Sequence, residues 1–209
     1  MIVLHYTAMK SCEAALERLC SPDYEVSAHY LISRDGTVFQ LVDEEMRAWH
    51  AGQGVWGSCT DINSHSIGIE LDNAGDAPYS APLMDALESL LPEIMARHQI
   101  AQERVIGHSD MAPLRKADPG RRFDWNRLAK QGLAVWPETA AIDAHDDTER
   151  WHEYARQFGY CSQSDQAAIL AAFRDRFRHG HLGPLDGEDM RIIQNLAARF
   201  PVDGGATNT

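Results

Sequence analysis

The strongest constraint on the fold is a change of texture at "VWP" (Val135 to Pro137). Before it, short β-rich runs alternate with helical spacings; after it, only helical spacings occur. "IVLHY" reads as a short buried strand. "SCEAALERLC" offers Ser11 as a helix cap, with Ala14, Ala15, Leu16 and Leu19 at helical spacing. "AHYLIS" and "TVFQLV" flank Asp35-Gly36 and read as a hairpin. "SIGIEL" and "RVIGH" are two further strands. "APLMDALESLLPEIMARHQI" is a long amphipathic helix in which Pro92 is expected to make a kink or break. "FDWNRLAKQG" reads as a helix capped by Asp124 and stopped by Gly132. This order predicts an α/β domain over residues 1–137, with a central mixed β-sheet flanked by helices.

The polar, alanine-rich stretch over residues 138–147 reads as a linker. Three helical patterns follow over residues 148–202, a small three-helix domain of about 60 residues, within the range that can fold alone. Ser162 with Asp165 resembles a capping box at the second of them. Gly180, Gly183, Pro184 and Gly187 mark the loop before the third. Residues 203–209 read as a disordered tail.

A net charge of -12 argues against a nucleic-acid partner, which needs a basic face. No run approaches the apolar length that crosses a bilayer. The four cysteines show no CxxC pairing and read mostly as reduced thiols. Met1 is followed at once by "IVLHY", without the basic opening of a secretory signal. A genuine start there points to the cytoplasm; a trimmed export signal would place the chain in the periplasm or at the outer membrane. Nothing in the composition sets the oligomeric state, and a monomer is the simpler expectation.

Five residues pose chemical questions. His108 follows Val105 and Ile106 at a strand end, where open α/β sheets usually build their sites. Asp118 precedes Pro119 and so sits on stiff, extended backbone, with Lys116 two residues away on the same side of an extended chain. His5 shares a strand face with Val3 and Thr7, and its two ring nitrogens need partners. Glu70 shares a face with Gly68, opposite Ile67, Ile69 and Leu71. A carboxylate in a buried strand is costly unless it is paired or functional. Singly, each residue has an ordinary explanation: a hydrogen-bonded core histidine, a solvated lysine, a turn-capping aspartate. Together, two histidines and a carboxylate with an open fourth position make a catalytic zinc site. A glutamate beside it takes a proton from water, and a lysine stabilises an oxyanion. Spacing alone does not show that the five converge.

"IVLHYTA", "SAHYLISRDGTVFQLV", "RAWHAG", "INSHSIGIEL" and "GHSDMAPLRKADPG" occur in the order seen in zinc-dependent N-acetylmuramoyl-L-alanine amidases. The chain resembles that family, whose superfamily includes phage lysozyme-type amidases and peptidoglycan recognition proteins, over roughly Ile2 to Pro137. The resemblance implies Zn²⁺ held by His5, His108 and Asp118, with Glu70 as the catalytic glutamate and Lys116 as the transition-state lysine. Some relatives carry cysteine where this chain has Asp118. The implied reaction is hydrolysis of the amide between the muramoyl lactyl group and L-alanine, on peptidoglycan or an anhydromuramoyl peptide. The alternative is a recognition protein without turnover, and the retained ligand set argues against it.

The helical segment, through "AAFRDRFR" and "LGPLDGEDMRIIQNL", resembles the small peptidoglycan-binding domain attached to some of these amidases. Candidates for substrate contact are His29, His50 and Asn63, although each equally suits a structural role. Asp110 matches no ligand position. Trp49 and Trp56 suit either sugar stacking or core filling. The "HGH" at His179 and His181 lacks further ligands.

Overall fold

The computed structural model describes residues 1–138, 147–161 and 165–203. Most of the expected linker, Ser162 and all but the first residue of the tail lie outside the described residues. The chain runs β1 (Ile2–Tyr6), α1 (Cys12–Cys20), β2 (Tyr30–Ile32), β3 (Val38–Gln40), β4 (Ile67–Leu71), α2 (Ala81–His98), β5 (Val105–Gly107), α3 (His108–Met111), α4 (Trp125–Ala129), α5 (Thr148–Phe158), α6 (Gln166–Phe177) and α7 (Gly187–Arg199). The strands form one sheet in the order β3-β2-β4-β1-β5. β1 is parallel to both β4 and β5, β2 is parallel to β4, and β3 closes one edge antiparallel to β2. The sheet is mixed, as the alternation of patterns predicts.

The period of two decides which residues meet which layer. Ile2, Leu4, Ile67, Ile69 and Leu71 face a core filled by Leu83, Leu87, Leu91 and Ile94 of α2, with Leu128 of α4. Val3 and Ile106 face the opposite side. There they join Trp56, Ile62 and Met111 in one buried cluster with Trp151 and Phe158 of α5, Phe173 and Phe177 of α6, and Ile193 and Leu196 of α7. The helices beyond the linker therefore share a continuous core with the sheet. Burying each such large apolar side chain stabilises the fold by roughly 1.5–3 kcal/mol.

Local signals explain the element ends. Ser11 accepts from the Ala14 N–H at the start of α1, Asp124 from Arg127 in α4 and Asp147 from Arg150 in α5. Gly132 adopts φ 72, the left-handed conformation that ends a helix without steric cost. Two expectations change. α2 continues through Pro92, so of the expected kink or break the break is not found. Its apolar stripe packs Leu87, Leu91 and Ile94 into the core on both sides of the proline, which outweighs one missing backbone hydrogen bond. The cap of α6 is Asp165 itself, whose side chain accepts from the Ala168 N–H. The four cysteines are free thiols.

Candidate metal centre

His5 lies in β1 directly opposite Glu70 in β4, and Val3 opposite Gly68. Partners across a parallel pair point to the same face, so His5 and Glu70 project together near the carboxyl ends of their strands. His108 is the first residue of the single turn α3, which follows β5 at once. Asp118 arrives on the next loop, tied by its carbonyl to the Ser109 N–H at 2.9 Å. The approach is close: a Cβ on Gly107 would lie 2.7 Å from Pro119 Cδ.

Three side-chain atoms converge. His5 Nδ1 is 2.8 Å from His108 Nδ1 and 3.0 Å from Asp118 Oδ2, and His108 Nδ1 is 2.9 Å from the same oxygen. All three residues are buried. Among the described residues they are the single group of three or more His, Cys, Asp or Glu side chains spaced to hold a metal ion.

The proton positions around this triplet can be deduced from its neighbours. His108 Nε2 lies 2.9 Å from the Ala51 carbonyl, which can only accept, so Nε2 carries the proton. In the neutral ring Nδ1 is then a bare lone pair. On the other side, Ser66 Oγ donates to the Ile62 carbonyl at 2.5 Å. His50 Nε2, 3.2 Å from Ser66 Oγ, must therefore be the donor in that pair. His50 Nδ1 accepts in turn from His5 Nε2–H at 3.0 Å, which leaves His5 Nδ1 bare. Burial lowers the His5 pKa to about 4, so the ring is neutral near pH 7. Two lone pairs and a carboxylate oxygen thus face one another with no proton between them. A divalent cation resolves that repulsion. Zinc ligands at about 2.0–2.1 Å in a tetrahedral array stand about 3.3 Å apart, close to the spacing found. The donor set fits the ion.

Glu70 completes the group. Its Oε2 is shielded from solvent and has no hydrogen-bond partner. Burial, followed by the charge of Asp118, pushes its carboxyl up to about 8, while Lys116 pulls the other way. Lys116 is exposed at the edge of a groove of about 440 Å³ that His5, Glu70, His108 and Asp118 also line. Arg18 and Arg115 add two more cations to its wall. Beyond Leu19, Val26 and Trp49 it adjoins a second hollow.

The remaining candidates separate. His50 lines the groove and backs His5. His29 is buried away from the opening; its Nε2 donates to the Met46 carbonyl and its Nδ1 accepts from the Gly68 N–H. Asn63 Oδ1 accepts from the N–H groups of His50 and Ala51, so it shapes the turn that carries both. Trp49 is 55% exposed on the groove rim, whereas Trp56 is fully buried. His181 pairs with Asp186 at 2.9 Å. Sequence reasoning missed Arg115, whose guanidinium binds the Ala51 and Gln53 carbonyls and so braces the same turn. It also missed what Gly68 makes room for. A Cβ there would lie 2.3 Å from His50 Cγ, so the missing side chain is the seat of the His50 ring.

The family pattern described as N-acetylmuramoyl-L-alanine amidase matches residues 1–121. The chain is 33% identical to the N-acetylmuramoyl-L-alanine amidase AmiD of Escherichia coli (strain K12), over 97% of this chain and 84% of that protein. It is 41% identical to the 1,6-anhydro-N-acetylmuramyl-L-alanine amidase AmpD of Enterobacter cloacae, over 49% of this chain and 55% of that one. The structure of E. coli AmiD in complex with anhydro-N-acetylmuramic acid-L-Ala-D-gamma-Glu-L-Lys superposes with a TM-score of 0.89 at 34% identity, covering 96% of this chain and 89% of that chain. That of AmpDh3 from Pseudomonas aeruginosa with an anhydromuramic pentapeptide gives a TM-score of 0.84 at 30% identity, covering 97% and 92%. A family pattern that covers more than half of the chain, and a relative 33% identical over nearly all of it, show that the chain belongs to the N-acetylmuramoyl-L-alanine amidase family and is a hydrolase of the amide bond between the muramoyl lactyl group and L-alanine.

Proposed function

We propose that the chain cleaves this bond with a Zn²⁺ ion held by His5 Nδ1, His108 Nδ1 and Asp118 Oδ2. The observation that carries the reading is the convergence of two imidazole nitrogens and a carboxylate oxygen beside a buried carboxylate with an unpartnered oxygen. When bound, the ion would supply Lewis acidity to water and to the scissile carbonyl. The chain's own groups do the rest. Glu70 accepts a proton from the attacking water at its unpartnered oxygen and delivers it to the departing L-alanine nitrogen. Its burial beside the metal ligands, with one oxygen unpartnered, leaves that oxygen free to take and give the proton. The Lys116 ammonium, on the groove edge, faces the negative charge that builds on the carbonyl oxygen. His50 and the Ala51 carbonyl hold the two imidazoles in the tautomers that aim Nδ1 inward.

The groove suits an anionic stem peptide attached to a sugar. Arg18, Arg115 and Lys116 line it, and Trp49, half exposed with the Arg47 guanidinium over its ring at 4.2 Å, stands where it adjoins the second hollow. We assign the stem-peptide carboxylates to the cations and the sugar to the Trp49 end. The segment at residues 148–202 is proposed to contact wall polymer as well, on the resemblance of "AAFRDRFR" and "LGPLDGEDMRIIQNL" to the small peptidoglycan-binding domain. No helix among the described residues is long and apolar enough to cross a membrane. Mass spectrometry of products from an anhydromuramoyl peptide and from intact sacculi, with and without a chelator, tests the assignment. Free peptide released only without chelator is the expected result. Peptide release that ignores the chelator would contradict the metal role.

A further inference from the structure

Asp110 belongs to no ligand set, yet it is among the least accessible charged groups in the molecule, at 1% exposure. Its Oδ2 accepts from the Gly107 N–H at 2.8 Å and from Arg176 Nη1 at 2.5 Å. Its Oδ1 accepts from the Tyr160 hydroxyl at 2.8 Å. Arg176 and Tyr160 both come from the helical segment beyond the linker: Arg176 from α6, and Tyr160 from just past α5. Arg176 is itself buried; its Nη2 donates to the Val105 carbonyl at 3.1 Å, and its guanidinium stacks 4.1 Å from the Trp125 ring. One arginine therefore grips β5, α3 and α4 at once.

α3 is a single turn, too short to hold its own position. His108 is its first residue and Asp110 its third. Its Ser109 N–H also holds the Asp118 carbonyl. Fixing Asp110 thus fixes the backbone that presents two of the three ligand atoms. We propose that the C-terminal helices act as a positioning element for the metal centre, with Arg176 and Tyr160 clamping Asp110 so that His108 and Asp118 meet His5 at ligand spacing.

This inference rests on the zinc reading above. The test compares two buried arginines of the same helix. Arg174 is also buried, but its hydrogen bonds run to Asp189 of α7 and to the Gly183 and Pro184 carbonyls, within the helical segment. In the full-length protein, Arg176→Lys keeps the charge and loses the two-pronged grip, Tyr160→Phe removes one hydroxyl, and Arg174→Lys is the control. Zn²⁺ affinity is measured by competition with a chelating dye, thermal stability by calorimetry, and kcat and KM on an anhydromuramoyl peptide. The expected result is comparable loss of stability in the two arginine variants. Zn²⁺ affinity should fall about 10- to 100-fold for Arg176→Lys, the range seen when outer partners of metal ligands are removed. Tyr160→Phe should fall in the same direction by less, and kcat should drop with KM nearly unchanged. Arg174→Lys should bind Zn²⁺ like wild type. The proposal is overturned if Arg176→Lys and Tyr160→Phe bind Zn²⁺ and turn over like wild type, or if Arg174→Lys loses as much affinity. Failure of wild type to bind Zn²⁺ would instead overturn the zinc reading itself.

Discussion

His50 Nδ1 accepts a hydrogen bond of 3.0 Å from His5 Nε2–H, and that contact turns His5 Nδ1 toward His108 and Asp118. The ladder continues outward through Ser66 to the Ile62 carbonyl, which sets the direction of every proton in it. His50→Ala removes the rung next to the ligand. Zn²⁺ affinity, read by dye competition, is expected to fall about 10- to 100-fold. Activity should be lost at limiting zinc and largely return with excess zinc. Unchanged affinity would show that His5 needs no such partner.

Gly68 is the seat of the same ring. In Gly68→Ala the new Cβ would sit 2.3 Å from His50 Cγ, so the imidazole must move. The expected cost is about 1–3 kcal/mol in chemical denaturation, the usual range for overpacking a buried site. Zn²⁺ affinity should fall alongside, as in His50→Ala. Stability lost with affinity retained would mean that the ring relocates without disturbing His5.

Glu70 gives the metal-free protein a distinctive pH response. Its folded pKa is raised to about 8 from 4.5. Between those values the folded state keeps a proton that the unfolded state releases, so stability falls as pH rises through this window. The maximal slope is about 1.4 kcal/mol per pH unit. His5 works in the opposite direction below its ordinary pKa, because its folded value is lowered to about 4. The difference between wild type and Glu70→Gln isolates the glutamate. Glu70→Gln should gain on wild type steadily as pH rises toward 8 in chelator-treated samples. A constant difference across that range would show that Glu70 is not held in a desolvated position.

The strand pattern made half of this site legible. Period-two alternation places His5 and Glu70 on inward faces, with Gly68 beside Glu70, and the register puts them side by side. The loop "GHSDMAPLRKADPG" supplies the other ligands, because a strand end and an X-Pro step leave few conformations. Three things were not legible. The ring that fills the gap at Gly68 comes from His50, on a turn closed by Asn63 and Arg115. The grip on Asp110 comes from Arg176, 66 residues away, through contacts that no local spacing encodes. Pro92 carries a strong local signal for a break, but core packing on both sides of it overrides that preference. Local rules locate the groups with intrinsic chemistry; the groups that orient them arrive by tertiary contact.

Trp56 lies where the two halves of the chain meet. It is fully buried, stands edge-on to Phe158 and Tyr160, and a Cβ on Gly159 would lie 2.5 Å from its Cε2. Trp56→Ala is expected to cost about 3–5 kcal/mol, as for other large aromatic truncations. Because one core spans both halves, wild type should unfold in a single calorimetric transition. Two resolved transitions in wild type would show that the helical segment and the sheet are energetically separate.

The most direct measurement concerns Glu70 in the zinc-loaded enzyme. Glu70→Gln keeps the shape of the side chain and removes its ability to take a proton. Zinc content by atomic emission and peptide release from an anhydromuramoyl peptide are measured on the same sample. The expected result is one zinc per chain, as in wild type, with turnover reduced by at least about 10²- to 10⁴-fold, the usual contribution of a general base. Turnover near the wild-type rate with zinc retained would contradict the role assigned to Glu70.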